Sequence, residues 1–240
     1  MKTFEAQFRI RQSQFDRHGK LKLNCWFDIL QETAGLHANI LGVGMGDFFA
    51  ANRCWVLARI RIGIAADPEP GEVVTVLTYP RGARRLFAER HFVVRNSKGN
   101  ELMTGSSRWM MLDRTSGRPL SLDPIIDHIP ANAELPQFFD FAAKLPTAEK
   151  FDRTLDIPVR PTMEDINGHL NNAEYIAAAQ DTLCIDGSSY DFAGAEISYH
   201  YPLRAPETLH MGIAVDGKSV YFTGTGGSGV KSVSGAIFLR

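Results

Sequence analysis

The sequence predicts an α+β protein built from two similar units, each an antiparallel sheet curled around one helix. Three observations predict it. Each half of the chain offers about five strand-like segments for one amphipathic helix. In each half that helix follows a short strand and a polar loop. The halves also align without a gap at one fixed offset, the one that sets Asp16 against Asp165.

In the first half, Phe4, Ala6, Phe8 and Ile10 alternate with polar residues and predict a half-buried strand. A loop follows over residues 13–20. Apolar positions then fall at Trp26, Ile29, Leu30, Thr33, Leu36 and Ile40, the spacing of one helical face, with Asn24 expected as N-cap and Gly42, Gly44 and Gly46 ending the helix. Strands are predicted over residues 54–64, 72–79, 86–96 and 101–112. They are separated by Asp67-Pro68-Glu69-Pro70-Gly71, a turn at Arg81-Gly82 and a hairpin at Asn96-Ser97-Lys98-Gly99-Asn100. Residues 115–150 are rich in Pro, Asp and Ala without a sustained period, and predict a linker with room for a short helix.

The pattern then restarts. At the common offset Arg11 meets Arg160, Gly19 meets Gly168, Leu21 meets Leu170, Trp26 meets Tyr175, and Gln31-Glu32-Thr33 meets Gln180-Asp181-Thr182. A helix is expected from Asn172 to about Leu183, with Tyr175, Ile176, Ala179 and Leu183 on one face, and strands over residues 193–201, 208–215, 220–225 and 231–239. The expected division is an N-terminal unit at 1–125, a linker at 126–150 and a C-terminal unit at 151–240.

A chain of 240 residues with 44% hydrophobic residues can bury a substantial core. Its net charge of −1 gives no global field to hold nucleic acid or an anionic membrane. Three cysteines, Cys25, Cys54 and Cys184, are odd in number and irregularly spaced, which argues against a disulfide framework or a zinc site. The first twenty residues lack an apolar signal core, and no apolar run approaches membrane-spanning length. A cytoplasmic protein without membrane insertion is expected, and no metal or cofactor.

Chemistry concentrates in Asp165-Ile166-Asn167-Gly168-His169-Leu170-Asn171-Asn172-Ala173-Glu174-Tyr175. In an extended segment Asp165, Asn167 and His169 leave the backbone on one side and can converge. Two readings stand: a turn and cap preceding a helix, or a site made from a carboxylate, an amide and an imidazole. The aligned positions of the first half hold Asp16, His18 and Lys20, so the full trio occurs once.

Taken together, the residues resemble the acyl-acyl-carrier-protein thioesterases. In the first half the likeness is carried by Leu30-Gln31-Glu32-Thr33-Ala34, Trp55-Val56 through Arg59, Gly82-Ala83-Arg84-Arg85, and Ser106-Ser107-Arg108-Trp109 with Asp113. In the second it is carried by Asp165, Asn167, His169, Asn172 and Tyr175. The resemblance implies a tandem double hotdog, with two antiparallel sheets each wrapped around a long central helix. It also implies hydrolysis of the thioester between a fatty acyl chain and the phosphopantetheine arm of acyl carrier protein, with Asp165, Asn167 and His169 catalytic.

The pattern departs in one place. Plant members carry a Glu-Cys pair after the second helix where Pro202 and Leu203 stand here, so a cysteine nucleophile is unsupported. Asp165 and His169 are then expected to share the general-base role, with Asn167 orienting water or carbonyl. Asn172 is either a cap or a direct contact, and Tyr175 either core or substrate contact. Glu32 is a rival carboxylate or an exposed helix residue. Arg81, Arg84, Arg85 and Arg90 either meet the acidic carrier and its phosphate or lie on a solvated strand face. The first unit is expected to serve as scaffold and acyl pocket. The competing functions are an acyl-CoA thioesterase, a hotdog enoyl hydratase and a non-catalytic acyl-binding module, and a monomer or homodimer is expected.

Overall fold

Strand β1 (Phe4–Arg9), a 3-10 turn (Gln12–Gln14) and helix α1 (Leu23–Ile40) open the chain in the computed structural model, which describes residues 2–141, 145–148 and 150–240. A short helix α2 (Met45–Ala50) follows, then β2 (Arg53–Ile64), β3 (Val73–Arg84), β4 (Phe87–Arg95) and β5 (Glu101–Asp113). After β6 (Pro119–Leu120), β7 (Arg153–Pro158) begins the second half, continuing through α3 (Asn172–Leu183), β8 (Phe192–Tyr199), β9 (Thr208–Asp216), β10 (Ser219–Thr225) and β11 (Lys231–Leu239). Two compact units result: Met1–Ser13 with Asp28–Phe141, and Gln14–Phe27 with Ala142–Arg240.

The duplication read from the sequence recurs in the backbone. β1 and β7, the 3-10 turns Gln12–Gln14 and Pro161–Met163, and the starts of α1 and α3 all fall at the offset that pairs Asp16 with Asp165. So do the two bridges that close the intervening loops, Phe15 to Leu21 and Glu164 to Leu170. The strands pair antiparallel in the order β1-β3-β4-β5-β2 in one half and β7-β9-β10-β11-β8 in the other, which is one topology used twice.

Helix α1 begins at Leu23, so Asn24 sits inside the first turn and is not the N-cap. The buried stripe is Leu23, Trp26, Phe27, Leu30, Thr33, Ala34 and His37, a steady three-and-four spacing. Each fully buried Leu or Phe contributes about 2–3 kcal/mol relative to an exposed one. Leu36 and Ile40, expected on this face, are 39% and 52% exposed. His37 takes the inward place because the sheet supplies polar partners there: Arg90 Nη1 on β4 lies 2.9 Å from its Nδ1, and the Phe4 ring of β1 stacks on it at 5.7 Å.

The expected turn at Arg81-Gly82 is a bulge inside β3. Gly82 has φ +89, and the register with β4 slips between Pro80 and Ala83 before pairing resumes to Arg84. The reversal comes at Arg85, in the left-handed region at φ 49. Glycine signalled the conformation correctly, but the backbone groups freed by the bulge are satisfied from outside the hairpin. Gly82 N–H donates to Pro130 O at 3.0 Å, and Asn132 Nδ2 donates to Pro80 O at 2.8 Å. The 96–100 hairpin forms as expected, with Gly99 at φ 82 and Asn96 Oδ1 accepting from Lys98 N and Asn100 N.

The Pro-rich stretch after β5 is a packed segment of the first unit through Phe141. Leu122, Ile125 and Ile129, around a 3-10 turn at Asp123–His128, share a core with Val43, Phe48, Ala88 and Met111. Beyond it, Tyr79 Oη donates to Pro136 O at 2.8 Å, Phe139 N–H donates to Ser106 Oγ at 3.1 Å, and the Arg61 guanidinium lies 4.7 Å from the Phe139 ring centre.

Candidate active site

The loop that carries the trio is closed rather than extended. Asp165 N–H donates to His169 O at 2.8 Å, Gly168 N–H donates to Asp165 O at 2.9 Å, and Gly168 takes φ +69, which only glycine adopts freely. The i, i+2, i+4 expectation of an extended segment is therefore corrected: an Asx turn, not strand pleating, brings the residues together. Asp165 Oδ1 accepts from Asn167 N at 2.8 Å and more weakly from His169 N at 3.4 Å, while its Oδ2 accepts from Asn167 Nδ2 at 3.0 Å. Asp165 and His169 are half-buried and Asn167 is exposed.

His169 turns its ring to a partner that no sequence pattern flagged. Arg204 Nη2 lies 2.7 Å from His169 Nε2, and a guanidinium can only donate across that contact. Burial first, and then the Arg204 charge, pulls the His169 pKa below the ordinary 6.5, against the opposing pull of Asp165 and Glu164.

The loop bearing Arg204 is tied to the trio's loop by its backbone. Leu170 N–H donates to Leu203 O at 2.8 Å, Ala205 N–H to Glu164 Oε1 at 2.8 Å and Leu203 N–H to Tyr175 Oη at 3.1 Å.

Helix α3 starts directly beyond. Its cap is Asn171, whose side chain accepts from Ala173 N, so Asn172 is the first helical residue and not the cap. One first-turn N–H is thereby satisfied by the cap. Tyr175 is 2% exposed, with its ring 5.9 Å from Tyr199 and its hydroxyl pKa pushed by burial up to about 12. Tyr199 Oη in turn donates to Asn172 O at 2.9 Å. These contacts put Tyr175 in the core that supports the loop.

The other expected residues lie in the first unit. Glu32 is on an exposed face of α1, and Arg84 and Arg85 are exposed at the β3–β4 reversal. Leu203, at the position of the missing cysteine, is fully buried; the thiols of Cys54 and Cys184 are pushed up by burial, away from reactive thiolates. Among the described residues no three His, Cys, Asp or Glu side chains are grouped to hold a metal ion, and no helix is long and apolar enough to cross a membrane.

The first half of the sequence holds the same loop without the same chemistry. Asp16 N–H donates to Lys20 O, Gly19 N–H to Asp16 O, and Asp16 Oδ1 accepts from His18 N and Lys20 N at 2.8 and 2.9 Å. The carboxylate thus belongs to the turn in both copies, while the positions of Asn167 and His169 are held in the first by His18 and Lys20.

Residues 1–129 match the family model described as the acyl-ACP thioesterase N-terminal domain, more than half of the chain. The chain belongs to the acyl-ACP thioesterase family. Among relatives of the family, the chloroplastic palmitoyl-acyl carrier protein thioesterase of Arabidopsis thaliana is 28% identical over 190 residues, covering 72% of this chain and 45% of its own. The chain spans about half the length of the curated relatives it matches. A solved acyl-ACP thioesterase from Bacteroides thetaiotaomicron superposes with a TM-score of 0.88 at 21% identity, over 99% of this chain and 98% of that one. A putative oleoyl thioesterase from Lactobacillus plantarum superposes with a TM-score of 0.81 at 25% identity, over 99% and 96%. The fold is the α+β, hotdog-like fold of those structures.

Proposed function

We propose that the protein hydrolyses fatty acyl thioesters of acyl carrier protein, releasing the free fatty acid, from one site per chain at Asp165, Asn167 and His169. The observation that carries this reading is internal. Two loops share one backbone geometry, and only the second carries an amide and an imidazole beside its carboxylate. Membership of the acyl-ACP thioesterase family supplies the substrate class.

The architecture behind it is a tandem double hotdog, each half curling its strands around its own helix, with hotdogs at 1–125 and 151–240 and the intervening residues packed on the first unit as far as Phe141. In this reading the first unit is scaffold and acyl pocket. Arg84 and Arg85, exposed at a hairpin reversal, are free to meet the acidic carrier or the phosphate of its arm.

A thiolate leaves readily near neutral pH, so the site has to supply an attacking water and support the charge that develops on the carbonyl oxygen. Asp165 and His169 form the proton-handling pair, and Asn167, hydrogen bonded to Asp165, orients the water or the carbonyl. Asn172 and Tyr175 support the loop; Glu32 stands outside the chemistry.

The test is release of free thiol from purified protein given acyl carrier protein, or CoA, loaded with the same series of acyl chains. Faster turnover of the carrier substrate is expected. Preference for CoA would replace the substrate assignment, and no release from either would end the hydrolase reading.

A further inference from the structure

We propose that Arg204 is the positioning residue of the site: it fixes His169 as a neutral imidazole with its proton on Nδ1, leaving Asp165 to accept the proton of the attacking water. The second half of this statement rests on the hydrolase reading, and the first does not.

A guanidinium has five N–H donors and no acceptor, so at 2.7 Å the Nε2 of His169 must offer its lone pair. Protonating that nitrogen would set two donors and two positive charges face to face. The groups around the ring are Arg204 from the loop after β8, and Asp165 and Glu164 from its own loop. Tyr175 of α3 in turn feels the charges of both Glu207 and Asp165. The two carboxylates favour a charged ring, so without Arg204 the balance moves toward imidazolium.

The arrangement is built so that the side chain is separable from the loop. Arg204 N–H donates to Glu207 Oε2 at 2.8 Å, Glu207 N–H donates to Arg204 O at 2.7 Å, and Ala205 N–H is held by Glu164. These bonds use backbone atoms, so shortening the Arg204 side chain leaves them in place. The guanidinium has no ion pair among the described residues closer than its contact with His169, and it is exposed.

With Nε2 engaged, His169 has one remaining function to offer, the Nδ1–H donor. A neutral imidazole donating to a carbonyl or oxyanion is an established mode of electrophilic assistance. Asp165 keeps the capacity to act as base: Oδ1 is occupied by Asn167 N and His169 N, but Oδ2 has a second acceptor site beyond its bond to Asn167 Nδ2. In that step a water proton passes to the Asp165 carboxylate and the water oxygen bonds the thioester carbon. The C–S bond then breaks, and the carboxyl proton returns to the leaving sulfur.

Imidazole 15N NMR of the full chain tests the first half without any substrate, with His169 identified by its loss in His169→Asn. Wild type is expected to show Nδ1 protonated and Nε2 as acceptor at pH 7. In Arg204→Met the Nε2–H tautomer should gain and the titration midpoint should rise. Arg204→Lys keeps a donor and a charge and should retain the wild-type tautomer. An Nε2–H tautomer in wild type, or identical tautomer and midpoint in all three proteins, overturns the proposal.

The second half is read by thiol release. The acidic limb of the pH–rate profile should move to higher pH in Arg204→Met, with a loss of roughly tenfold or more at pH 6. Asp165→Asn should abolish turnover, while His169→Asn, which keeps an N–H near the Nδ1 position, should exceed His169→Ala by about tenfold. Equal activity of the two His169 variants overturns the donor role. Absence of turnover in wild type would end the hydrolase reading and leave the NMR result standing.

Discussion

Asp16 and Asp165 hold their matching loops in the same way. Both carboxylates accept backbone N–H bonds that close a five-residue loop, and this duty alone accounts for their shared place in the repeat. Asp16→Ala should therefore cost about 1–3 kcal/mol in urea unfolding and leave turnover unchanged, whereas Asp165→Ala should lose both stability and turnover. Loss of turnover without loss of stability at Asp165 would contradict the dual role.

His91 sets a second expectation at this scale. It is 1% exposed, bonded through Nδ1 to Ser106 Oγ at 2.7 Å, and burial lowers its pKa from 6.5 to about 4. The unfolded chain then binds a proton between those values that the folded one refuses. Stability is full above pH 6.5 and falls as pH drops towards 4, by up to roughly 3 kcal/mol. Urea midpoints at pH 7 and 4.5 should converge in His91→Gln relative to wild type; an equal pH dependence in the two proteins would contradict this account.

At the scale of elements, the helices and strands were legible where one force dominated. The alternation of β1, the hairpin at Asn96 to Asn100 and the 172–183 helix each follow from a period or a turn residue read locally. The errors fall where a distant partner decides. Pro130 and Asn132 turn Arg81-Gly82 into a bulge, and Arg90 draws His37 inward at the expense of Leu36 and Ile40. Helix α2 has no clear signal in the sequence, because its start at Met45 lies among the glycines that end α1. The helix starts at Asn172 as expected, but in this run of two asparagines the cap is Asn171. Asn171→Ala should lower stability by about 1 kcal/mol, and Asn172→Ala by distinctly less. Thermal unfolding of the two variants decides, and a larger loss at Asn172 would refute the assignment.

For the whole molecule, the internal offset carried most of what the sequence could tell. It fixed the architecture of both halves and singled out the loop with the complete trio. It was silent on Arg204, because no spacing links residue 204 to residue 169; only the fold that lays Leu203 against Leu170 brings them together. Recognition of the carrier belongs to this scale as well. The double variant Arg84→Ala, Arg85→Ala should weaken kcat/KM for the carrier-bound substrate several-fold and leave free pantetheine thioesters unaffected, as expected for lost charge complementarity at a surface. Unchanged relative efficiency would remove both residues from the interface.

The most direct test of a single site, at the loop of the second half, is thiol release from acyl-loaded carrier protein by His169→Ala and His18→Ala, one imidazole from each of the two matching loops. His169→Ala is predicted to fall by roughly 10²–10⁴-fold while His18→Ala keeps wild-type turnover. Comparable losses in the two variants would contradict the account.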